Sequence, residues 1–274
     1  MNHLNQSLIQ TRLGSLEVRQ TAPRPESVML WPSIFTDHKI YEKLALKLSD
    51  RYRVVLIDGP GHGASLSAKG PFTMSDCGGA MADILDSLKI NEVIAGGTSW
   101  GGIAAAELTL MAPKRVKALI MMNTPMDIDS MNPGLTARLI TFGARWALKS
   151  RVFRNGVAKS FFDPKTFQEN PSFAMHFHEM LDHADAKSLS LSVRSVLIES
   201  TPLFEKLKGI KTNSLIIAGK EDSMYSLGRQ AAAALQMHNA RFECVSGRHI
   251  SVIDALPEVV THINRFLTQL GVTK

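Results

Sequence analysis

Three side chains far apart in the chain could together perform nucleophilic acyl chemistry: Ser99, Asp222 and His249. Ser99 lies in Gly97-Thr98-Ser99-Trp100-Gly101, after the apolar run Val93-Ile94-Ala95 and before the small-residue stretch Ile103 to Leu108. A strand, a sharp turn and a helix in that order present a serine hydroxyl above a sheet edge. Gly97 and Gly101 remove the Cβ atoms that so tight a turn would drive into its neighbours. The same turn aims the N–H of Trp100 at the space above Ser99, as half of an oxyanion hole. The bland alternative for Ser99 is a helix cap with no chemistry. A serine hydroxyl is a poor nucleophile and needs a base, and the base needs an orienting acid. Leu215 to Gly219 reads as a strand running into Glu221 and Asp222; Phe242 to Val245 reads as a strand running into Gly247 and His249. Asp222 is the expected acid and His249 the expected base. Glu221 would point elsewhere, and Asp127 or Asp129, just after a strand ending at Met122, is a second place from which an acid can face the same histidine.

The remaining histidines read as structural. His62 stands in Asp58-Gly59-Pro60-Gly61-His62-Gly63, where it is expected to pin a turn-rich loop. His176, His178, Glu179, Asp182 and His183 crowd one helical segment, and Glu179 and His183 are spaced to share a metal. The H-E-x-x-H order is absent, and a polar helix face explains the cluster, so no metal and no cofactor is expected.

The elements that must position the set alternate between short apolar runs and helical patterns, as in a mostly parallel sheet covered on both faces. Strands are expected at Ser15–Thr21, there as an edge, and at Val28–Trp31, Val54–Ile57, Val93–Gly96, Val116–Met122, Ser214–Ala218 and Arg241–Val245. Helices are expected over Ile40–Leu48, from Thr73 or Ser75 to Leu88, and near Leu227–Met237 and Pro257–Leu267. Between Met122 and Ser214 no strand pattern occurs; apolar repeats over Leu139–Ala147, Val157–Phe162 and Phe173–Leu181 read as helices. The expected organisation is therefore an α/β core of residues 1–125 and 207–274 with a helical cap, 126–206, inserted in it.

Composition narrows the class. The chain has 274 residues, 45% hydrophobic and 20% charged, the balance of a globular protein. Two cysteines, Cys77 and Cys244, cannot form a disulfide framework; both a buried thiol at Cys244 and a reducing, cytoplasmic compartment are expected. The first residues lack the apolar centre of a signal peptide, and no run has the length of a membrane span, so no membrane partner is expected. The net charge is +6, yet no basic block interleaved with aromatics suggests nucleic acid, and a small-molecule substrate is the expected partner. From Ser130 to Phe162 the chain has no acidic residue but carries Arg138, Arg145, Lys149, Arg151, Arg154 and Lys159. That stretch reads as a solvated basic face, or as a source of one or two arginines, Arg145 or Arg151, that contact an anionic substrate.

Taken together, Gly97 to Gly102 and Asp58 to Ser65 resemble two signatures of the α/β-hydrolase superfamily, and the order serine, aspartate, histidine is the one found there. Within it the chain is similar to the 3-oxoadipate enol-lactonases. Pro32-Ser33-Ile34-Phe35-Thr36-Asp37 resembles their first loop, Lys69-Gly70-Pro71-Phe72-Thr73 a second segment, and His249-Ile250-Ser251 with Asp254 the stretch around their catalytic histidine. The resemblance implies an α/β-hydrolase fold, a serine hydrolase acting on an ester or lactone through an acyl-enzyme, and the N–H of Ile34 as second oxyanion donor. It also implies substrate contacts at Ser33 and Phe35. Phe35 replaces a glycine of the family loop and would narrow the pocket; Trp100 stands where methionine is usual. Thioester, carbon–carbon bond or peroxide chemistry on the same triad, or a binding protein on a hydrolase scaffold, are the competing expectations.

Overall fold

The computed structural model describes residues 4–127 and 134–271. Its frame is an eight-stranded sheet: β1 (Asn5–Thr11), β2 (Gly14–Gln20), β3 (Glu26–Trp31), β4 (Tyr52–Ile57), β5 (Val93–Thr98), β6 (Val116–Met122), β7 (Ser214–Gly219) and β8 (Ala240–Val245). The spatial order is β1-β2-β4-β3-β5-β6-β7-β8. β1 and β2 form an antiparallel hairpin and β2 joins β4 antiparallel, while all remaining pairs are parallel. The central strands are buried on both faces, which is why they read as unbroken apolar runs rather than alternating ones.

Helices α1 (Glu42–Leu48), α2 (Met74–Ser87), α3 (Trp100–Met111), α9 (Leu227–Ala234), α10 (Ser251–Asp254) and α11 (Leu256–Gln269) flank the sheet. Of the two expected caps for α2, Thr73 is the one used: its side chain accepts from the Asp76 N–H, and Asp76 returns the bond to the Thr73 N–H.

Two expectations need correction. Ser15–Thr21 is not an edge, because β1 pairs outside it. β1 escapes a reading by hydrophobic pattern because only Ile9 and Thr11 are buried in it and Leu8 faces outward. Cys244 is half-buried rather than buried, since β8 is the last strand of the sheet and one side of it is uncovered.

Between β6 and β7 the chain is helical: α4 (Leu135–Trp146), α5 (Arg151–Phe161), α6 (Pro164–Glu169), α7 (Pro171–His183) and α8 (Ala186–Leu197). Pro and Asp or Asn mark the starts of α6 and α7, where Asp163 and Asn170 accept the first free N–H groups. An aromatic knot holds these helices together, with the Phe162 ring 5.2 Å from Phe167, 5.3 Å from Phe173 and 5.4 Å from Phe177. The helices are tied to the sheet's loops: the Ile250 N–H donates to the Phe161 carbonyl (2.9 Å), and His176 Nε2 lies 2.7 Å from Asp37 Oδ2. Among the described residues no helix is long and apolar enough to cross a membrane.

Candidate active site

Ser99 stands between β5 and α3 with φ 55° and ψ −113°, a left-handed conformation that a residue with a side chain adopts only when its surroundings hold it there. The surroundings are visible at the two glycines. A Cβ on Gly101 would meet the Trp31 carbonyl oxygen at 1.7 Å, and one on Gly97 would meet the Gly101 carbonyl carbon at 2.3 Å. The Ser99 N–H donates to the Met122 carbonyl (2.8 Å), which anchors the turn to the end of β6. The Ser99 side chain makes no capping bond to its own helix, so its hydroxyl is not occupied by the role a bland reading gives it.

At the same carboxyl-terminal sheet edge, the loops after β7 and β8 bring Asp222 and His249 together. His249 Nδ1 lies 3.0 Å from Asp222 Oδ2. Both side chains are buried. Asp222 Oδ1 accepts the N–H groups of Met224 (2.9 Å) and Tyr225 (3.0 Å), and Oδ2 accepts from Asn123 Nδ2 (3.0 Å). Burial alone would raise this carboxyl, but the bond and charge of His249, with these N–H donors, hold it below the ordinary aspartate value. A carboxylate so placed fixes the histidine proton on Nδ1 and leaves Nε2 as the acceptor. No hydrogen bond joins the Ser99 hydroxyl to His249 among the described residues; such bonds are often long before substrate arrives.

Sequence reading missed Asn123. It directly follows β6 with φ 47°, accepts the Ser251 hydroxyl on Oδ1 (2.5 Å) and donates to both Asp222 and the Arg248 carbonyl (3.2 Å). An asparagine immediately after a buried strand, where αL backbone is tolerated, was the available signal. Phe161 was missed too: its ring centroid is 5.2 Å from that of His249, so a side chain of α5 packs on this imidazole.

The first loop is organised by His62. Its Nε2 accepts the Phe35 N–H (3.0 Å) and its Nδ1 donates to the Pro60 carbonyl (3.0 Å). Full burial drives its pKa down to about 4, so the ring stays neutral and can accept that bond. The loop reading for His62 thus acquires a specific object, the backbone at Phe35, which has φ 59°. The Thr36 N–H is used by the Ser33 carbonyl (3.3 Å), whereas the N–H of Ile34 has no bond among the described residues. Trp100 is the first residue of α3, so its N–H belongs to the helix's unpaired first turn. Its indole is core, 5.2 Å from Trp31 and 5.4 Å from His62. The Ser33 hydroxyl is buried and has no partner.

A cavity of about 380 Å³ opens beside this loop, walled by Ile34, Phe35, Leu139, Phe153, Phe161 and Met224. Of the four expected substrate contacts only Phe35 is among the described residues that line it; Ser33, Arg145 and Arg151 are not. Arg145 lies with its guanidinium 4.6 Å from the Trp146 ring centre and lines a different cavity, and Arg151 is exposed at the start of α5. Asp127 is held by Arg229 (2.8 Å) rather than by His249, and Asp129 lies outside the described residues. His183 Nδ1 is spent on the Glu179 carbonyl (2.8 Å), not on a shared metal with the Glu179 carboxylate. The Glu221 carboxylate accepts the Gly247 N–H (2.6 Å) and so shapes the histidine loop.

Comparison with known proteins gives the geometry a context. Residues 26–233 match a family described as alpha/beta hydrolase fold. The chain is similar to 3-oxoadipate enol-lactonase 1 of Acinetobacter baylyi, with 24% identity over 98% of this chain and 100% of that protein. Among solved structures it superposes on a hydrolase from Pseudomonas aeruginosa PA01 with a TM-score of 0.86 and 25% identity, covering 96% of this chain and 98% of the other. An enol-lactonase from Burkholderia xenovorans LB400 superposes with a TM-score of 0.84 and 23% identity, over 93% of this chain and 96% of the other.

Proposed function

Since the chain belongs to the alpha/beta hydrolase fold family, we propose that it is a serine hydrolase that cleaves a carboxylic ester or lactone through an acyl-enzyme on Ser99. The observation that carries this reading is the buried Asp222–His249 pair, 3.0 Å apart, at the sheet edge where Ser99 is held in its strained turn. His249 Nε2 takes the Ser99 proton as Oγ attacks the carbonyl carbon. Asp222 keeps the Nδ1 proton in place and stabilises the imidazolium that forms. The N–H groups of Trp100 and Ile34 receive the oxyanion; loss of one such donor costs about 3 kcal/mol of barrier. As the intermediate collapses, the carbonyl carbon releases the alcohol oxygen, and His249 gives that oxygen its proton. Water then attacks the acyl carbon, His249 takes the water's proton, and the carboxylic acid leaves as the proton returns to Ser99. In a lactone the alcohol stays tethered to the acyl group.

The cavity beside Phe35 and Phe161 is walled mainly by apolar side chains, and Phe161 packs on His249, which supports an apolar rather than an anionic group on the part of the substrate that does not react. The arginines that suggested an anionic substrate lie elsewhere.

A panel of p-nitrophenyl esters and lactones, run with wild-type and Ser99→Ala protein, tests the assignment. Wild-type turnover with kcat lower by about 10⁴-fold or more in Ser99→Ala is expected. Labelling by a fluorophosphonate should be lost in the same variant. Unchanged hydrolysis in Ser99→Ala would overturn the proposal.

A further inference from the structure

The most unusual surface lies on α4. Leu135, Leu139, Phe142 and Trp146 are 73%, 59%, 63% and 69% exposed. Their spacing puts all four within about 60° of arc on one helix face. The helix packs through its other sides: Ala144, opposite the stripe, is buried, and so is Gly143 beside it, where a Cβ would collide with the Phe153 ring. Val152, at the start of α5, adds a further apolar side chain that is 83% exposed. Large apolar side chains aligned in this way are not the scattered exposure that any protein surface carries.

The charge around the stripe has one sign. Arg138 and Arg145 flank it on the same helix, and no acidic residue occurs between Ser130 and Phe162. A cavity of about 900 Å³ next to Phe142 and Trp146 is lined by Lys69, Arg138, Arg145, Lys187 and Arg194, and none of the described residues lining it is acidic. Carboxylates on the neighbouring helices have partners of their own: Asp185 caps α8 through the Ser188 N–H (2.7 Å) while its charge also reaches Arg145 and Lys187, Glu199 pairs with Arg194 (2.9 Å), and Asp182 pairs with Arg154.

An amphipathic helix with Leu, Phe and Trp on one face and arginines at its flank lies in the plane of a lipid interface, with the cations at the headgroups. We propose that α4 docks this protein onto an anionic lipid bilayer surface, the stripe entering the headgroup boundary and the basic cavity receiving lipid phosphates. The expectation of no membrane partner rested on the lack of a spanning run, and a helix that lies on the surface needs none. Leu139 belongs both to the stripe and to the wall of the apolar cavity beside Phe35, so that cavity opens towards the docked face.

The test uses the purified full chain with vesicles of phosphatidylcholine alone and of phosphatidylcholine mixed with phosphatidylglycerol. Trp31 and Trp100 are fully buried, so a change of tryptophan emission reports Trp146. Pelleting with the anionic vesicles about tenfold stronger than with the neutral ones is expected, with a blue shift and quenching by brominated acyl chains. A Leu135→Ser/Phe142→Ser variant, altered only at exposed positions, should lose about tenfold or more of that binding while its circular dichroism is unchanged. Trp146→Phe should still pellet but lose the emission change. Ser99→Ala should bind vesicles like the wild type, which separates this proposal from the catalytic one. Equal weak pelleting with both vesicles overturns the proposal. So does concentration-dependent dimerisation, abolished by Leu135→Ser/Phe142→Ser, in a chain that does not pellet; the stripe would then be covered by a second copy.

Discussion

Two buried aspartate–histidine pairs sit at the carboxyl ends of strands in this sheet, and they differ in what surrounds them. After β7, Asp222 Oδ2 meets His249 Nδ1 at 3.0 Å; after β4, Asp58 Oδ2 meets His38 Nδ1 at 2.8 Å. Asp222 is held ionised by His249 together with N–H donors from Asn123, Tyr225 and Met224. Asp58 receives the His38 N–H (2.6 Å) but lies against a second buried carboxylate, Glu17. Glu17 keeps the charge, because the Ala64 N–H (2.7 Å) and Arg19 (2.9 Å) hold it, and burial pushes Asp58 up. Glu17, His38 and Asp58 also have the residue types of a metal site, but His38 Nδ1 is engaged by Asp58 and both carboxylates accept backbone N–H groups, while the buried His38 Nε2 has no hydrogen bond among the described residues. The same two residue types thus make the proposed proton relay in one place and a clasp between β2, the β4 loop and the first loop in the other. The surrounding donors decide which.

The largest effect that can break this comparison is on turnover. Asp222→Asn is expected to lower kcat about 10⁴-fold with little change in melting temperature, while His38→Gln leaves kcat of the folded protein unchanged. Steady-state kinetics beside thermal melts would reveal a reversed pattern. Next in size, Asp58→Ala should cost about 3–5 kcal/mol of stability, measured by urea unfolding, because it strips a buried pair of one partner. A variant of normal stability but low kcat would mean that the second pair takes part in the chemistry.

Asn123→Ala sharpens the comparison from the other side. Removing a donor to a buried carboxylate costs about 1.5–3 kcal/mol, expected here as a fall of about 10- to 100-fold in kcat with KM nearly constant. A change confined to KM would place Asn123 in substrate binding instead.

The smallest effect is in pH. The Asp222 carboxyl is depressed, so its contribution to stability is present above the ordinary aspartate value and fades only as pH falls through the lower, folded one. The Asp58 carboxyl is raised by burial, so stability drops as pH rises from the ordinary value to about 7. The stability gap between wild type and Asp58→Ala should therefore shrink from pH 5 to pH 8. Urea melts at the two pH values check it, with Asp222→Asn as the control whose gap does not shrink.

Much of the fold was legible because a parallel sheet buried on both faces leaves apolar runs, and β3 through β7 carry them. β1 was not legible, since a polar strand whose outer edge faces solvent has no such signature. Ser99 was readable from local sequence because its turn needs glycines at fixed offsets. Asn123 and Phe161 act on Asp222 and His249 across long sequence separations, and nothing near them in the chain declares it. His38 carried no sequence signal for the same reason, as its partner Asp58 is twenty residues away.

By itself the sequence determined what is local: the strand runs, the strained turn at Ser99, the acid-free basic stretch, and which residue types end which strands. Only the tertiary structure decided which aspartate faces which histidine, which arginines stand away from the apolar cavity, and that the apolar stripe of α4 points outward. Periodicity and turn chemistry act over a few residues and are written in the chain. Burial, dielectric and the donors around a buried charge come from segments far apart in sequence, and they exist only once the chain has packed.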